Sequence, residues 1–318
     1  MSALVRASSF PAGTEARSGR CTQHRRTFAA PGPVARSHAV MVSASGSGAP
    51  RAAASRPSAS FAASGLAGVR TASRRSTVRV QANWGAPVEF KPAKVVSNSS
   101  AAAGPLHRLV LDVGPLAAGY TVPGQFVQVK VGDSKPGFFA IASAPGAGPA
   151  GQLEFLIKGA PGSTSELLCN IAAGAEVLVS PPMGKGFPLD RLPAASTPAV
   201  LLFATGSGIS PLRAVIDSGA LAGRDVTLYY GTRNTDSTAY KELLPVWAAK
   251  GIKVVQVFSE NKQGYVHDVF EREGLARLPA DAAGGVGALL CGHKGMCQAI
   301  TGLLTAKGVP PEKILLNF

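Results

Sequence analysis

The chain has 318 residues, with 32 lysines and arginines against 18 acidic residues and a formal charge of +14. Residues 1–82 hold twelve of the arginines, no lysine, no aspartate and one acid, Glu15, so this stretch carries +11 and the rest of the chain only +3. The basicity is therefore no nucleic-acid footprint on a folded body, and no stretch reaches the roughly 18 apolar residues that a membrane span requires.

Residues 1–82 are rich in Ser, Ala, Gly and Arg and have no sustained apolar run. They bury too little surface to offset their ordering entropy. This is the composition of an organellar transit peptide. The run Arg74-Arg75-Ser76-Thr77-Val78-Arg79-Val80-Gln81-Ala82 resembles a stromal processing site, with the mature chain starting near Ala82 or Asn83. The chloroplast stroma is the expected location, a mitochondrial address is the rival, and a retained disordered tail is the third reading. Cys21, Cys169, Cys291 and Cys297 have no CxxC spacing and no histidine cluster beside them, so neither a disulfide framework nor a metal site is expected.

Residues 83–190 read as an antiparallel barrel. Apolar and polar residues alternate over 88–96 and 107–113, and further strands are expected at 125–131, 137–143, 151–158 and 176–180. Gly- and Pro-rich turns separate them. One short helix is expected at 165–171. Prolines 181, 182, 188, 193 and 198 mark a connector. From 198 to 318 strands at 199–205, 225–231, 252–258, 287–291 and 314–318 alternate with helices near 209–221, 237–249, 266–274 and 294–307. That rhythm predicts a parallel sheet with right-handed crossovers and a ligand at the strands' carboxyl ends.

The stretch 199–215 is the most informative. An apolar strand breaks at Thr205-Gly206-Ser207-Gly208 and resumes with helical spacing at Ile209, Leu212 and Ile216, with Pro211 suited to the first helical turn. A strand, glycine turn and helix aim unpaired N–H groups at a phosphate. Taken alone, the turn is equally an ordinary βα connection, because the GxGxxG fingerprint is absent. Two more segments fall at strand ends on the same edge, Gly231-Thr232-Arg233 and Cys291-Gly292.

An antiparallel barrel followed by an α/β parallel-sheet nucleotide-binding domain, with these motifs in this order, resembles the ferredoxin–NADP reductase superfamily of flavoprotein reductases. The resemblance covers about 86–318. The strand 123–131 looks like the one preceding the flavin motif. The segment 158–168 resembles the second flavin motif, and implies that Lys158, Gly162, Ser163, Thr164 and Ser165 border FAD, with Gly162 and Ser165 on its pyrophosphate; the serines and threonine are also good helix N-caps. The stretch 201–215 is close to the dinucleotide motif, which implies NADP or NAD contacts at Thr205, Gly206, Ser207, Gly208, Ile209 and Pro211. Residues 289–296 are similar to the Cys-Gly-x-x-x-Met motif, which implies Cys291 beside the nicotinamide with Gly292 and Met296 nearby. The C-terminal Phe318 could stack on the flavin, as in plant-type reductases, or could equally pack in the core.

The first flavin motif, Arg-x-Tyr-(Ser/Thr) in this superfamily, here reads Gly137-Phe138-Phe139-Ala140, followed by Ile141-Ala142-Ser143. The resemblance implies that 139–143 flank the flavin. Phe139 can stack, but Gly137 cannot pair with a phosphate and Ala140 cannot hydrogen-bond the ring. The acidic residue near the C-terminus of plant-type enzymes is replaced by Leu316. Losing one charged contact costs about 1.5–3 kcal/mol, one to two decades of affinity. Arg233 and Ser259 favour NADP, whereas Glu260, standing where plant-type enzymes carry arginine, favours NAD. The implied activity is FAD-dependent electron transfer between NAD(P)H and an unidentified acceptor. Ferredoxin is possible but not favoured, because +3 on the body is no concentrated docking face. The alternative is a nucleotide-binding redox sensor or assembly factor with little electron transfer.

Overall fold

Period-two alternation builds the first half of the described chain. The computed structural model describes residues 88–318 apart from 263, 280, 281 and 318. The transit-peptide and processing-site expectations for 1–82, and the stacking role expected of Phe318, lie outside these residues. The strands are β1 (Lys91–Ala102), β2 (Leu106–Asp112), β3 (Phe126–Lys130), β4 (Gly137–Ala140), β5 (Gln152–Lys158) and, after the helix α1 (Thr164–Asn170), β6 (Glu176–Val179). They pair in the order β4-β3-β6-β1-β2-β5, all antiparallel. An antiparallel bridge between Ile141 and Phe155 joins the two edges. Closure leaves no strand edge free at that seam.

The strand β1 runs past its expected end at 96. Its polar stretch Ser97–Ser100 still pairs with β2, across two register shifts. Asn98 explains why alternation hid it: its Nδ2 donates to the carbonyls of Leu168, Cys169 and Ile171 at 3.0, 3.1 and 2.8 Å. A polar residue is needed there to satisfy the carbonyls at the end of α1.

The second half alternates strand and helix. Its elements are β7 (Ala199–Thr205), α2 (Ile209–Asp217), β8 (Asp225–Thr232), α3 (Leu244–Ala249), β9 (Lys253–Phe258), α4 (Val266–Val269), α5 (Ala282–Gly285), β10 (Val286–Cys291), α6 (Lys294–Ala306) and β11 (Ile314–Leu316). The strands are parallel in the order β11-β10-β7-β8-β9. The helix expected at 237–249 shrinks to a 3-10 turn, Lys241–Leu243, and α3, since Tyr240 adopts a left-handed φ of +57° that no α-helix admits. The helix expected at 266–274 changes to a π-turn over Phe270–Gly274.

The two faces of β7 belong to different cores. Val200, Leu202 and Ala204 pack with Leu212 and Val215 of α2, whereas Leu201 and Phe203 pack with Phe270 and with Ile300 of α6. Leu106 and Leu156 of the barrel join the first of these clusters, so apolar packing is continuous across the boundary between barrel and sheet. The strand order reverses between β7 and β10, so the crevice at their carboxyl ends is the switch point where ligands bind in open α/β sheets.

Candidate active site

At the switch point two turns interlock. Gly206 turns the chain with φ +54° and starts a 3-10 turn, Gly206–Gly208, that leads into α2. A Cβ on Gly208 would overlap the carbonyl of Cys291, whose carbon lies only 2.6 Å from that position. The main-chain N–H of His293 donates to Thr205 Oγ1 at 2.7 Å, and the Tyr230 hydroxyl donates to the Gly206 carbonyl at 3.2 Å. These contacts fix the glycine turn against the end of β10. They also commit the Thr205 hydroxyl to the neighbouring turn.

A cleft of about 620 Å³ opens above this junction. Its sheet wall is Thr205, Gly206, Ser207, Gly208, Pro211, Cys291 and Gly292. Its barrel wall is Phe138, Phe139, Ala140, Leu156, Lys158 and Ser165. Residues from five separate sequence segments thus meet in one cavity. A second cleft of about 550 Å³ continues over β8 and β9 and is lined by Gly231, Thr232, Arg233, Ser259 and Met296, together with Tyr265 and His267. Lys158, Thr205, Gly206 and His293 border both and form the waist between them. A third, of about 780 Å³, lies on the barrel side between 134–139 and 160–167.

Residues 202–302 match the model of the oxidoreductase NAD-binding domain. The fruit protein pKIWI502 of Actinidia deliciosa is 34% identical over 247 residues, covering 72% of this chain and 77% of that protein. The chain belongs to the ferredoxin–NADP reductase superfamily. The ferredoxin reductase component of the 3-ketosteroid-9-alpha-monooxygenase of Mycolicibacterium smegmatis is 31% identical over 200 residues, 60% of this chain and 54% of that relative, so the match spans about half of its length. Among solved structures, the ferredoxin–NADP⁺ reductase of Neisseria gonorrhoeae with bound FAD and NADP superposes with a TM-score of 0.60 at 16% identity, over 72% of this chain and 98% of that one. The Plasmodium falciparum enzyme with 2'P-AMP gives 0.58 at 19% identity, over 71% and 94%. At these identities the likeness is one of fold.

Within this superfamily member, not every expected contact reaches the clefts. Ile141 and Ala142 are fully buried, because the 141–155 bridge turns them into the barrel seam. The Ser143 hydroxyl accepts from the Glu154 N–H at 3.2 Å and its carbonyl accepts from Tyr120 Oη at 2.8 Å. Ile209 is buried in the core beside Leu212. Glu260 lines neither of the first two clefts; its carboxylate accepts from Asn234 Nδ2 at 2.5 Å and its N–H donates to the Arg233 carbonyl at 3.0 Å.

The loop 160–166 is occupied by its own hydrogen bonds. The Gly162 N–H donates to Glu166 Oε2 at 2.7 Å, Ser163 Oγ donates to the Ala160 carbonyl at 2.6 Å, and the Ser163 and Ser165 hydroxyls share a bond of 2.7 Å. The Thr164 hydroxyl donates to the Lys135 carbonyl, tying the loop to the segment before β4. Burial pushes the Cys291 thiol up to about 12, and neighbouring Cys297 adds to the rise against a hydrogen bond from Asn317. Cys291 is therefore a neutral thiol near neutrality, a contact and no nucleophile. Sequence reasoning left Tyr265 and Lys135 unread and took His267 as structural or exposed, whereas it lines the second cleft; only Lys135 carried a signal, two residues before the altered first flavin motif. Among the described residues no group of His, Cys, Asp or Glu is placed to hold a metal, and no helix is long and apolar enough to cross a membrane.

Proposed function

We propose that this protein is an FAD-dependent oxidoreductase that takes reducing equivalents from NADH or NADPH and passes them to a small acceptor or redox protein in the plastid stroma. The carrying observation is the 620 Å³ cleft, which sets Phe139 and Ala140 of the barrel opposite Thr205, Gly206 and Cys291 of the sheet. A cavity shared by two sheets suits a pair of stacked rings, one held by each side. Its apolar wall of Phe138, Phe139 and Leu156 fits a flat aromatic cofactor. When bound, the flavin supplies the two-electron chemistry; the chain supplies placement and electrostatics.

The division of labour follows from the lining. Phe138 and Phe139 give one end of the cleft an aromatic wall. Lys158 and His293 offer the waist a cation and a hydrogen-bonding imidazole, suited to the anionic middle of a dinucleotide. Arg233 and Ser259 border the far cleft, where a 2′-phosphate or an unmodified ribose would lie. Lys135 lines the third cleft together with Gly137, the position at which the superfamily motif carries its arginine. The plastid assignment rests on the composition of residues 1–82.

A second reading, nucleotide binding without electron transfer, draws on the Glu166 carboxylate. It already occupies the Gly162 N–H that the second flavin motif would present to a phosphate. The visible spectrum of the purified protein separates the two. A flavin band that bleaches anaerobically with NADH or NADPH supports the oxidoreductase. A folded, colourless protein that FAD does not reconstitute overturns it.

A further inference from the structure

A buried charge network joins barrel and sheet outside the clefts. Glu154 stands in the apolar run Leu153-Glu154-Phe155-Leu156-Ile157 of β5. Leu153, Phe155 and Ile157 enter the barrel core, so alternation sends Glu154 and Leu156 to the outer face. There Leu156 joins the core of the sheet, and Glu154 is 7% exposed. Its carboxylate accepts from Arg213 of α2 through both terminal nitrogens, the weaker contact at 3.3 Å. It accepts from Arg108 of β2 at 2.7 and 2.8 Å and from Tyr240 Oη at 3.3 Å. The Arg213 guanidinium also lies 4.4 Å from the Tyr240 ring centre and donates to Asp217 Oδ2 at 3.2 Å. Asp217 Oδ1 in turn accepts from Trp247 Nε1 at 3.1 Å.

We infer that Glu154 and Arg213 form a latch that sets the registration of α2 against the strand carrying the first flavin motif, making both positioning residues for the reaction proposed above, on which this inference rests. Glu154 holds the residues that follow that strand with its backbone: its carbonyl accepts from the Ala142 N–H at 2.7 Å and its N–H donates to Ser143 Oγ. It holds α2 with its side chain. Ser210, one turn before Arg213, donates to the Ala140 carbonyl at 3.4 Å. Ser210, Arg213 and Asp217 recur at i, i+3 and i+7 and form one polar stripe along a helix that is otherwise apolar.

Burial alone does not account for this stripe. A buried ion pair seldom outperforms well-packed apolar residues, and Leu156 shows that an apolar side chain fits the same face. Apolar contact tolerates sliding, whereas two guanidinium–carboxylate bonds fix both distance and angle. The helix so fixed begins at the glycine turn of the coenzyme cleft, and the strand so fixed ends at Ala140 on the opposite wall. Displacing reacting groups by about 1 Å lowers rates by about a hundredfold.

The test compares Arg213→Met, Arg213→Lys and Glu154→Gln with Arg108→Gln. The last removes a partner of the same carboxylate that lies within the barrel and does not cross the boundary. Two readouts are taken on the full chain: anaerobic bleaching by NADPH in stopped flow, with flavin content and coenzyme Kd measured alongside, and amide hydrogen exchange of peptides covering 137–143 and 209–217. Arg213→Met and Glu154→Gln are expected to bleach at least tenfold more slowly with flavin content and Kd within threefold of the parent, and to exchange faster in both peptides. Arg213→Lys recovers part of the rate, and Arg108→Gln keeps rate and exchange. Unchanged bleaching in a flavin-loaded Arg213→Met protein overturns the latch, whatever its stability. A parent without flavin ends the oxidoreductase reading, and exchange then decides the latch alone: faster exchange in both peptides supports it, parental exchange overturns it.

Discussion

Gly208 of the turn after β7 stands directly against the carbonyl of Cys291 at the end of β10, with the Gly292 Cα 2.8 Å from where a Cβ would lie. The second glycine of the dinucleotide motif therefore serves strand-to-strand closeness before it serves any ligand. Gly208→Ala must push backbone from backbone, the kind of overpacking that costs about 1–3 kcal/mol. The expected result is a lower denaturation midpoint together with at least tenfold weaker coenzyme binding, since Thr205 and Cys291 move apart. Denaturant titration and fluorescence titration with NADPH check both, and an alanine variant with parental midpoint and affinity would exclude the close packing.

Glu154 makes stability depend on acid. Burial alone would raise its carboxyl, but the hydrogen bonds and charges of Arg213 and Arg108 more than offset this and hold it below its ordinary value of 4.5. A depressed folded-state pKa means that the unfolded chain takes up the proton first. The stabilisation is thus complete above the unfolded value and is lost as pH falls through the folded one. Unfolding free energy is expected to be level from pH 7 to about 5.5 on this account and to decline below about 4.5. Glu154→Gln should flatten that decline. Arg213→Ala, which leaves the carboxylate to Arg108 and Tyr240 alone, should cost about 1.5–3 kcal/mol at pH 7. Urea melts across this pH range provide the check; an acid limb equally steep in Glu154→Gln would assign it to other groups.

How far the sequence carried the structure depended on the range of the interactions involved. The β7 strand and its glycine turn were legible because the apolar run and Thr205-Gly206-Ser207-Gly208 are local signals. The strands of the barrel were legible from alternation, and β1 failed only where Asn98 turned a polar side chain to α1. The strand at 137–143 was read as one element with 139–143 flanking the cofactor, yet Ala140 lines the cleft while Ile141 closes the barrel seam. Glu154, a charge inside the apolar strand at 151–158, was not singled out, and its partner Arg213 lies 59 residues away, with no local pattern to link them. Tyr265, 64% exposed on the second cleft, sits in a loop with no periodicity to mark it.

On the proposed function, coenzyme choice follows from which side chains reach the second cleft. Arg233 and Ser259 line it. The Glu260 carboxylate is turned to Asn234. Glu260→Ala is therefore expected to leave the ratio of kcat/KM for NADPH over NADH within about twofold, a change below about 0.4 kcal/mol. Arg233→Ala is expected to lower that ratio about tenfold, the loss of roughly one charge-assisted hydrogen bond. Steady-state rates with both coenzymes and one artificial acceptor decide it. A large shift in Glu260→Ala would return the carboxylate to the role of selector.

Cys291 offers a chemical test of its own surroundings. It faces the first cleft, and a reactive cysteine at such a place would be a depressed-pKa thiolate. Burial instead raises it to about 12, which leaves about one molecule in ten thousand ionised at pH 8, against about a quarter for a free thiol near 8.5. Alkylation by iodoacetamide should accordingly be slower than that of glutathione by more than a hundredfold in the folded protein, and should approach it in denaturant. Peptide mass spectrometry resolves Cys291 from Cys297 by fragmentation. On the proposed function, Cys291→Ser should keep coenzyme affinity and lower the bleaching rate, since a neutral thiol lining that cleft contributes packing and not charge. Rapid alkylation of the native protein at Cys291 would mean that the thiol is solvated and ionised, and the wall of the cleft formed by β10 would then need to open in solution.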